Sequence, residues 1–165
     1  MILGNNAIKT LLKFVPEELT IAPFHEEQVG PASYDLRLST SFISPSGLCR
    51  VPMCASEILL GPGEFILAST EETITLGLSL CAFIQGRSSW ARKGLSIQVA
   101  GFVDPGFSGT ITLELFNVGA DALKLKAGAR IAQVIFLETT DCTLSYKDKP
   151  GSKYQGQNGA TLARG

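Results

Sequence analysis

The sequence predicts an all-β domain, a sandwich or distorted barrel, preceded by one short helix. Three observations predict it. Apolar and polar residues alternate in SYDLRLS, EFILAST, ETITL, LSIQVAG, GTITLELFN, ALKLK and ARIAQVIFL, the period of a strand with one buried face. Glycine and proline breaks separate these runs, at Gly61-Pro62-Gly63, Asp104-Pro105-Gly106 and Ala127-Gly128, which is the punctuation of turns. Finally, 165 residues with 45% hydrophobic and 18% charged content are enough for one domain with a true core.

In chain order, Asn5 and Asn6 are placed to cap a helix in which Ile8, Leu11 and Leu12 share a face, and Pro16 ends it. Strand and turn follow to about residue 146, with a less regular excursion between Pro45 and Pro62. No internal repeat is evident. The polar, glycine-rich end, DKPGSKYQGQNGATLARG, reads by composition as a frayed terminus. Its Lys153, Tyr154, Gln155 and Gln157 also give it the donors that a segment closing over a polyanion would need.

Composition excludes several function classes. Lys+Arg 14 against Asp+Glu 15 leaves a formal charge of −1, whereas nucleic-acid binding calls for a basic face. No run reaches the roughly 18 apolar residues of a membrane span, and MILGNNAIKTLLKF does not read as a signal peptide. Cys49, Cys54, Cys81 and Cys142 are scattered without a C-x-x-C, so reduced thiols and a cytoplasmic location are expected. Zinc-dependent base deaminases need H-x-E with P-C-x-x-C. The one histidine, His25, has no cysteine pair near it in sequence, so no zinc is expected and His25 reads as a loop residue.

Two segments carry candidate chemistry. In GRSSWARKGL, residues 86–95, a serine can cap a short helical turn and Gly94 suits a left-handed exit. Taken alone this is a capped surface turn; the alternative is an anion site built from turn amides with Arg87, Ser88 and Ser89. In GTITLELFN, Ile111, Leu113 and Leu115 fall on one face and Thr112, Glu114 and Phe116 on the other. Pattern alone puts Glu114 in solvent. If its face instead lines a pocket, the carboxylate can serve as a proton shuttle. Asp104 is explained by turn chemistry, Gln133 by a bond to a neighbouring strand, and Trp90 by packing.

The segments occur in an order that resembles the dCTP deaminase family of the trimeric dUTPase superfamily. GPASYDLRLS is similar to its first motif, GRSSWARKGL to the second, AGFVDPGFSGTITLELFN to the third, AGARIAQVIF to the fourth and GSKYQGQNGATLAR to the last. The resemblance implies a distorted β-barrel or jelly-roll of the dUTPase type, one domain over 1–165 with 147–165 a flexible tail that closes over the site. It also implies a homotrimer with active sites between subunits. Matched residue by residue, Ser88, Arg92, Ala100 and Glu114 fall on the deaminase positions. Arg87, Ser88, Ser89, Lys153 and Gln157 fall on the triphosphate contacts. Asp104 matches the residue that meets the deoxyribose 3′-hydroxyl and Phe107 the aromatic near the sugar. Val103, Gln133 and Tyr146 match further nucleotide-site positions.

The activity so implied is zinc-free deamination of dCTP, feeding dTTP synthesis, with dTTP as feedback inhibitor and Mg2+ arriving with the triphosphate. Plain dUTPases read R-S-G in the second motif, where this chain has Arg87-Ser88-Ser89. Enzymes that stop at dUTP carry Ala-His-Arg before the third-motif aspartate. Ala100-Gly101-Phe102-Val103-Asp104 is similar instead to the bifunctional type, which continues to dUMP and diphosphate with Asp104 as base for the second water. The stretch from Arg92 to Asp104 is one residue shorter than in many deaminases, and Val99 stands where a threonine is usual. A dUTPase-only enzyme is therefore the alternative reading, and a catalytically silent nucleotide-binding β-module is the alternative of another class.

Overall fold

The computed structural model describes residues 1–44, 53–98 and 101–165. The N-terminal helix α1 spans Asn5–Phe14, with Ile8 fully buried and Leu11 and Leu12 against the core. Its start differs from the expectation. Gly4 is the N-cap, in extended geometry and with no side-chain cap bond, and Asn5 is already helical. The Asn5 amide donates to the Pro31 carbonyl (2.9 Å), so a neighbouring loop satisfies one of the orphan donors of the first turn.

The strands are β1 (Leu19–Ala22), β2 (Tyr34–Ile43), β3 (Met53–Cys54), β4 (Glu57–Leu60), β5 (Phe65–Leu76), β6 (Leu80–Gly86), β7 (Leu95–Gln98), β8 (Phe102–Val103), β9 (Ser108–Asn117), β10 (Leu123–Lys126) and β11 (Arg130–Glu138). The main sheet runs β7-β9-β5-β2-β11-β6-β8, with β1 added to β5 and β3 to β2, while β4 and β10 form a separate antiparallel pair. The sheet curls on itself: a Cβ on Gly86, at the end of β6, would lie 3.4 Å from Ile97 in β7. Strands near opposite ends of the sheet thus meet, which makes it a distorted barrel around Leu36, Leu38, Leu113, Leu115, Val134 and Phe136, each at most 0% exposed. Among the described residues no helix is long and apolar enough to cross a membrane.

EFILAST and ETITL, separate runs in the sequence, are one strand. Its pairing slips between Ser69 and Thr73 opposite β9, a bulge that turns three polar residues inward. Ser69, Thr70 and Glu72 are all buried. Burial is tolerated because each has partners. Thr70 Oγ1 donates to the Glu72 carbonyl (2.8 Å) and accepts from the Ile111 amide (2.9 Å). Glu72 accepts from Gln28 Nε2 (3.0 Å), from the Arg37 amide (2.8 Å) and from Arg37 Nε (2.9 Å). Glu72→Ala would leave the Arg37 amide and Nε without their acceptor, and the guanidinium would face Glu71 alone. We expect a loss of about 3 kcal/mol in urea denaturation, with Glu72→Gln recovering part of it.

Tyr34, at the start of β2, is fully buried, and its hydroxyl accepts from the His25 amide (3.0 Å). Burial pushes the phenol up to about 12 from its ordinary 10.0, the His25 bond opposing and the Glu72 charge adding to the rise. A group raised in the folded state supports folding fully below its unfolded value and ceases to as pH passes the folded one. The urea midpoint is therefore expected to fall as pH climbs from about 10 to about 12, and Tyr34→Phe to flatten that part of the decline.

The irregular excursion contains short strands after all: Met53–Cys54 pairs with β2, and Glu57–Leu60 with β10. In β10, Leu123 and Leu125 point inward while Lys124 reaches Glu57 (2.8 Å).

Candidate active site

The segment 86–95 begins where β6 ends. The Arg87 amide donates to the Ile131 carbonyl (3.1 Å), and the Arg87 carbonyl accepts from the amides of Trp90 and Ala91. One helical turn, α2 (Ser88–Ala91), follows. Arg87, not a serine, is its N-cap, and no side chain caps the turn. Among the described residues the exposed hydroxyls of Ser88 and Ser89 therefore have no partner. Arg92 is the C-cap. Gly94 exits at φ +92, where an added Cβ would come 2.7 Å from Gly119 Cα, so glycine is required for both conformation and space. Trp90 packs against the core and donates through Nε1 to the Arg130 carbonyl (3.0 Å).

The face of β9 that pattern alone would leave in solvent lines a cavity of about 470 Å³. Ile111, Leu113 and Leu115 are buried and Thr112, Glu114 and Phe116 half-exposed, so the alternation is as read. Glu114 sits opposite Leu67 of β5 and Gln98 of β7. The cavity also takes in Val103, Asp104, Phe107, Tyr146 and Gln157, which lie far apart in sequence. Its other walls are largely apolar, including Phe65, Phe102 and Ile84. Apolar walls with a few converging polar groups are the usual form of a small-molecule site.

The remaining candidates stand elsewhere. None of residues 86–95 lines the cavity among the described residues. Gln133, in the middle of β11, is opposite Asp35 of β2 and Gln85 of β6, with Ser33 Oγ donating to its carbonyl oxygen (3.4 Å). Asp35 in turn lies between two guanidinium groups, 3.4 Å from Arg87 Nε and 3.5 Å from Arg130 Nη1. Candidate residues thus form two groups, a cavity with carboxylates and a basic cluster at the exit of β6. Ala100 and Val99 lie outside the described residues.

The C-terminal segment is docked. A single 3-10 turn at Tyr146–Asp148 packs on the Asp-Pro-Gly turn that carries Asp104. The Tyr146 amide donates to the Pro105 carbonyl (2.7 Å), and its ring meets Phe107 edge-on at 5.6 Å. Gln155 donates to the Gly106 carbonyl and accepts from the Ser108 amide, both at 3.2 Å. Lys149 Nζ donates to Asp104 Oδ2 (2.9 Å). Gln157 is buried, its amide donating to the Thr110 carbonyl (2.6 Å) and its oxygen accepting from Thr161 (2.9 Å). Lys153 Nζ donates to the Arg164 carbonyl (2.8 Å). Leu162 and Ala163 reach the cavity itself.

The sequence pattern did not single out Asp35, Arg130 or Lys149. Asp35 was the findable one, since a carboxylate at mid-strand in SYDLRLS is the same signal that singled out Glu114.

The curled sheet with this cavity is a dUTPase-type fold, seen also in known structures. A crystal structure of 2′-deoxycytidine 5′-triphosphate deaminase from Agrobacterium tumefaciens superposes with a TM-score of 0.69 at 22% identity, over 82% of this chain and 47% of that one. The native dUTPase of EIAV gives 0.54 at 22% identity, over 78% of this chain and 92% of that one. A family model described as dCTP deaminase-like matches residues 2–139. The chain is 39% identical, over 173 aligned positions and 94% of both chains, to a protein of Sulfurihydrogenibium sp. (strain YO3AOP1) named dCTP deaminase, dUMP-forming. One of the same name from Tropheryma whipplei (strain Twist) is 41% identical over 164 positions, covering 88% of this chain and 84% of that one. The chain belongs to the dCTP deaminase-like family.

Proposed function

We propose that the chain converts dCTP to dUMP, ammonia and diphosphate, acting as a homotrimer whose sites lie between subunits. The observation that carries the reading is the cavity that gathers Glu114 and Asp104 with the Phe107–Tyr146 pair. Relatives that cover nearly the whole chain carry the name of the dUMP-forming enzyme. The separation of the basic cluster from the carboxylates' cavity, among the described residues of one chain, supports a site shared between chains. A second copy would bring Arg87, Ser88, Ser89 and Arg92 to Glu114, as the closed symmetry of such assemblies allows.

Deamination then proceeds by proton relay. Water, which holds its protons far more tightly than any carboxyl, is too weak a nucleophile unaided. Glu114 takes a proton from it as the oxygen attacks C4 of cytosine, and N3 receives a proton through the same carboxyl. Glu114, again anionic, then takes the proton of the new C4 hydroxyl and passes it to the amino group, so that the C4–N bond breaks with release of ammonia as the C4 carbonyl forms, and uracil remains. Ser88 and the Ala100 carbonyl orient the water, and the Arg92 charge favours the anionic carboxylate. Arg87, Ser88 and Ser89, joined by Lys153 and Gln157, hold the triphosphate, with Gln133, Val103, Phe107 and Tyr146 around base and sugar. Magnesium enters as part of the substrate, bound to the phosphates. Asp104 meets the 3′-hydroxyl and is the candidate base for a second water that releases diphosphate. In the docked conformation the Lys153 and Gln157 side chains are engaged within their own chain, so binding phosphate requires their release.

The test is incubation of the purified protein with dCTP and magnesium, resolving dUTP, dUMP and diphosphate by ion exchange. dUMP and diphosphate in equal amounts support the reading. Accumulation of dUTP alone removes the second step. Inert dCTP with cleavage of added dUTP makes the chain a dUTPase only, and dCTP that stabilises the fold without being consumed makes it a binding module.

A further inference from the structure

We propose that Lys149 is a positioning residue for the nucleotide's sugar, acting through Asp104; the inference rests on the nucleotide-binding reading above. The turn that carries Asp104 is shaped by the C-terminal segment at every residue. Pro105, Gly106 and Ser108 have their backbone groups taken by Tyr146, Gln155 and Gly156, and Phe107 has its ring against Tyr146. Asp104 completes the series through its side chain, with Lys149 Nζ donating to Oδ2 at 2.9 Å.

That bond leaves the carboxylate with a fixed orientation and one free oxygen. Oδ2 is engaged, and among the described residues Oδ1 has no hydrogen-bond partner, while Asp104 lines the cavity. A carboxylate oxygen is acceptor-only, so Oδ1 suits a hydroxyl donor such as the sugar 3′-OH. Hydrogen bonding to Asp104, together with its charge, also raises the Lys149 ammonium above its ordinary value, keeping the donor present throughout the neutral range. The pair is half-exposed, with side-chain exposure of 50% for Lys149 and 28% for Asp104. Pairs of this kind contribute little to folding. Its consequence is therefore geometric: without Lys149 the carboxylate can rotate, and the hydroxyl loses a prearranged acceptor.

The experiment is calorimetric titration of the full chain, with magnesium, using the α,β-imido analogue of dUTP and the same analogue lacking the 3′-hydroxyl. Lys149→Ala is expected to weaken the first by about tenfold, as loss of a well-placed charged hydrogen bond does. It should leave the second within about twofold, and Lys149→Arg should restore the difference by keeping a cationic donor. Equal weakening of both analogues would overturn the proposal, since Lys149 would then act on the phosphates or on the fold at large. So would no weakening of either, or an arginine variant no better than alanine. If the unaltered protein binds neither analogue, the nucleotide reading itself fails and takes this inference with it.

Discussion

Glu114→Gln is expected to lower the deamination rate by 10²–10⁴-fold while the affinity for dCTP changes by no more than about threefold. General acid–base groups contribute on that order, and glutamine keeps the volume of the side chain while removing its capacity to take up and return a proton. Only the proton relay is lost, because Glu114 occupies one position on the wall of a cavity whose shape is set by Phe65, Ile84, Phe102 and Phe107. Stopped dCTP assays with ammonia detection, beside titration of dCTP binding, separate the two quantities. A variant that still releases ammonia at the original rate would remove Glu114 from the mechanism. A variant that neither turns over nor binds would make it a structural residue of the pocket.

The second large effect is a gain. Glu114→Gln chains and chains carrying both Arg87→Ala and Ser88→Ala are each expected to be inactive. Co-expressed together, they should recover about a quarter of the original activity, because in the proposed ring each site draws its carboxylate from one chain and its basic cluster from the next. Half of the chains supply an intact carboxylate and half an intact cluster, at random. The prediction follows from the separation of the two groups of residues, with none of 86–95 lining the cavity of its own chain among the described residues. Assay of the co-purified mixture, against each variant made alone, measures it. Activity absent from the mixture would mean that one chain brings both groups together by a rearrangement of its own.

Much of the architecture was legible because alternation has a simple cause. In β9, Leu113 and Leu115 are buried and Glu114 is not, as the two-residue period requires. The same holds in β10 with Leu123 and Leu125. Other strands had no such signature. In β6, Leu80, Cys81 and Ala82 are all buried, so the run reads as apolar without a period, and LTIA of β1 is too short to show one. The division of β5 into two runs failed for a different reason. Glu71 and Glu72 look like a surface break, yet a bulge carries Glu72 to Gln28 and Arg37, partners that are distant in sequence. The caps failed similarly: Asn5 and the serines of α2 had the right chemistry, but the chain enters each helix one residue earlier, so that Gly4 and Arg87 are the N-caps.

What the sequence determined by itself was the class of fold, the face of β9 on which Glu114 stands, and the glycine at position 94. Each follows from local stereochemistry, which a few neighbouring residues are enough to specify. Tertiary structure alone decided what stands across from that face. It made the solvent side of a strand into the wall of a cavity, paired Asp35 with two arginines, and laid residues 146–156 against the turn at Asp104 and 157–161 against β9 and β2. The reason is that a strand's period fixes which way a side chain points and carries no information about the residues, tens of positions away, that the curled sheet brings to meet it.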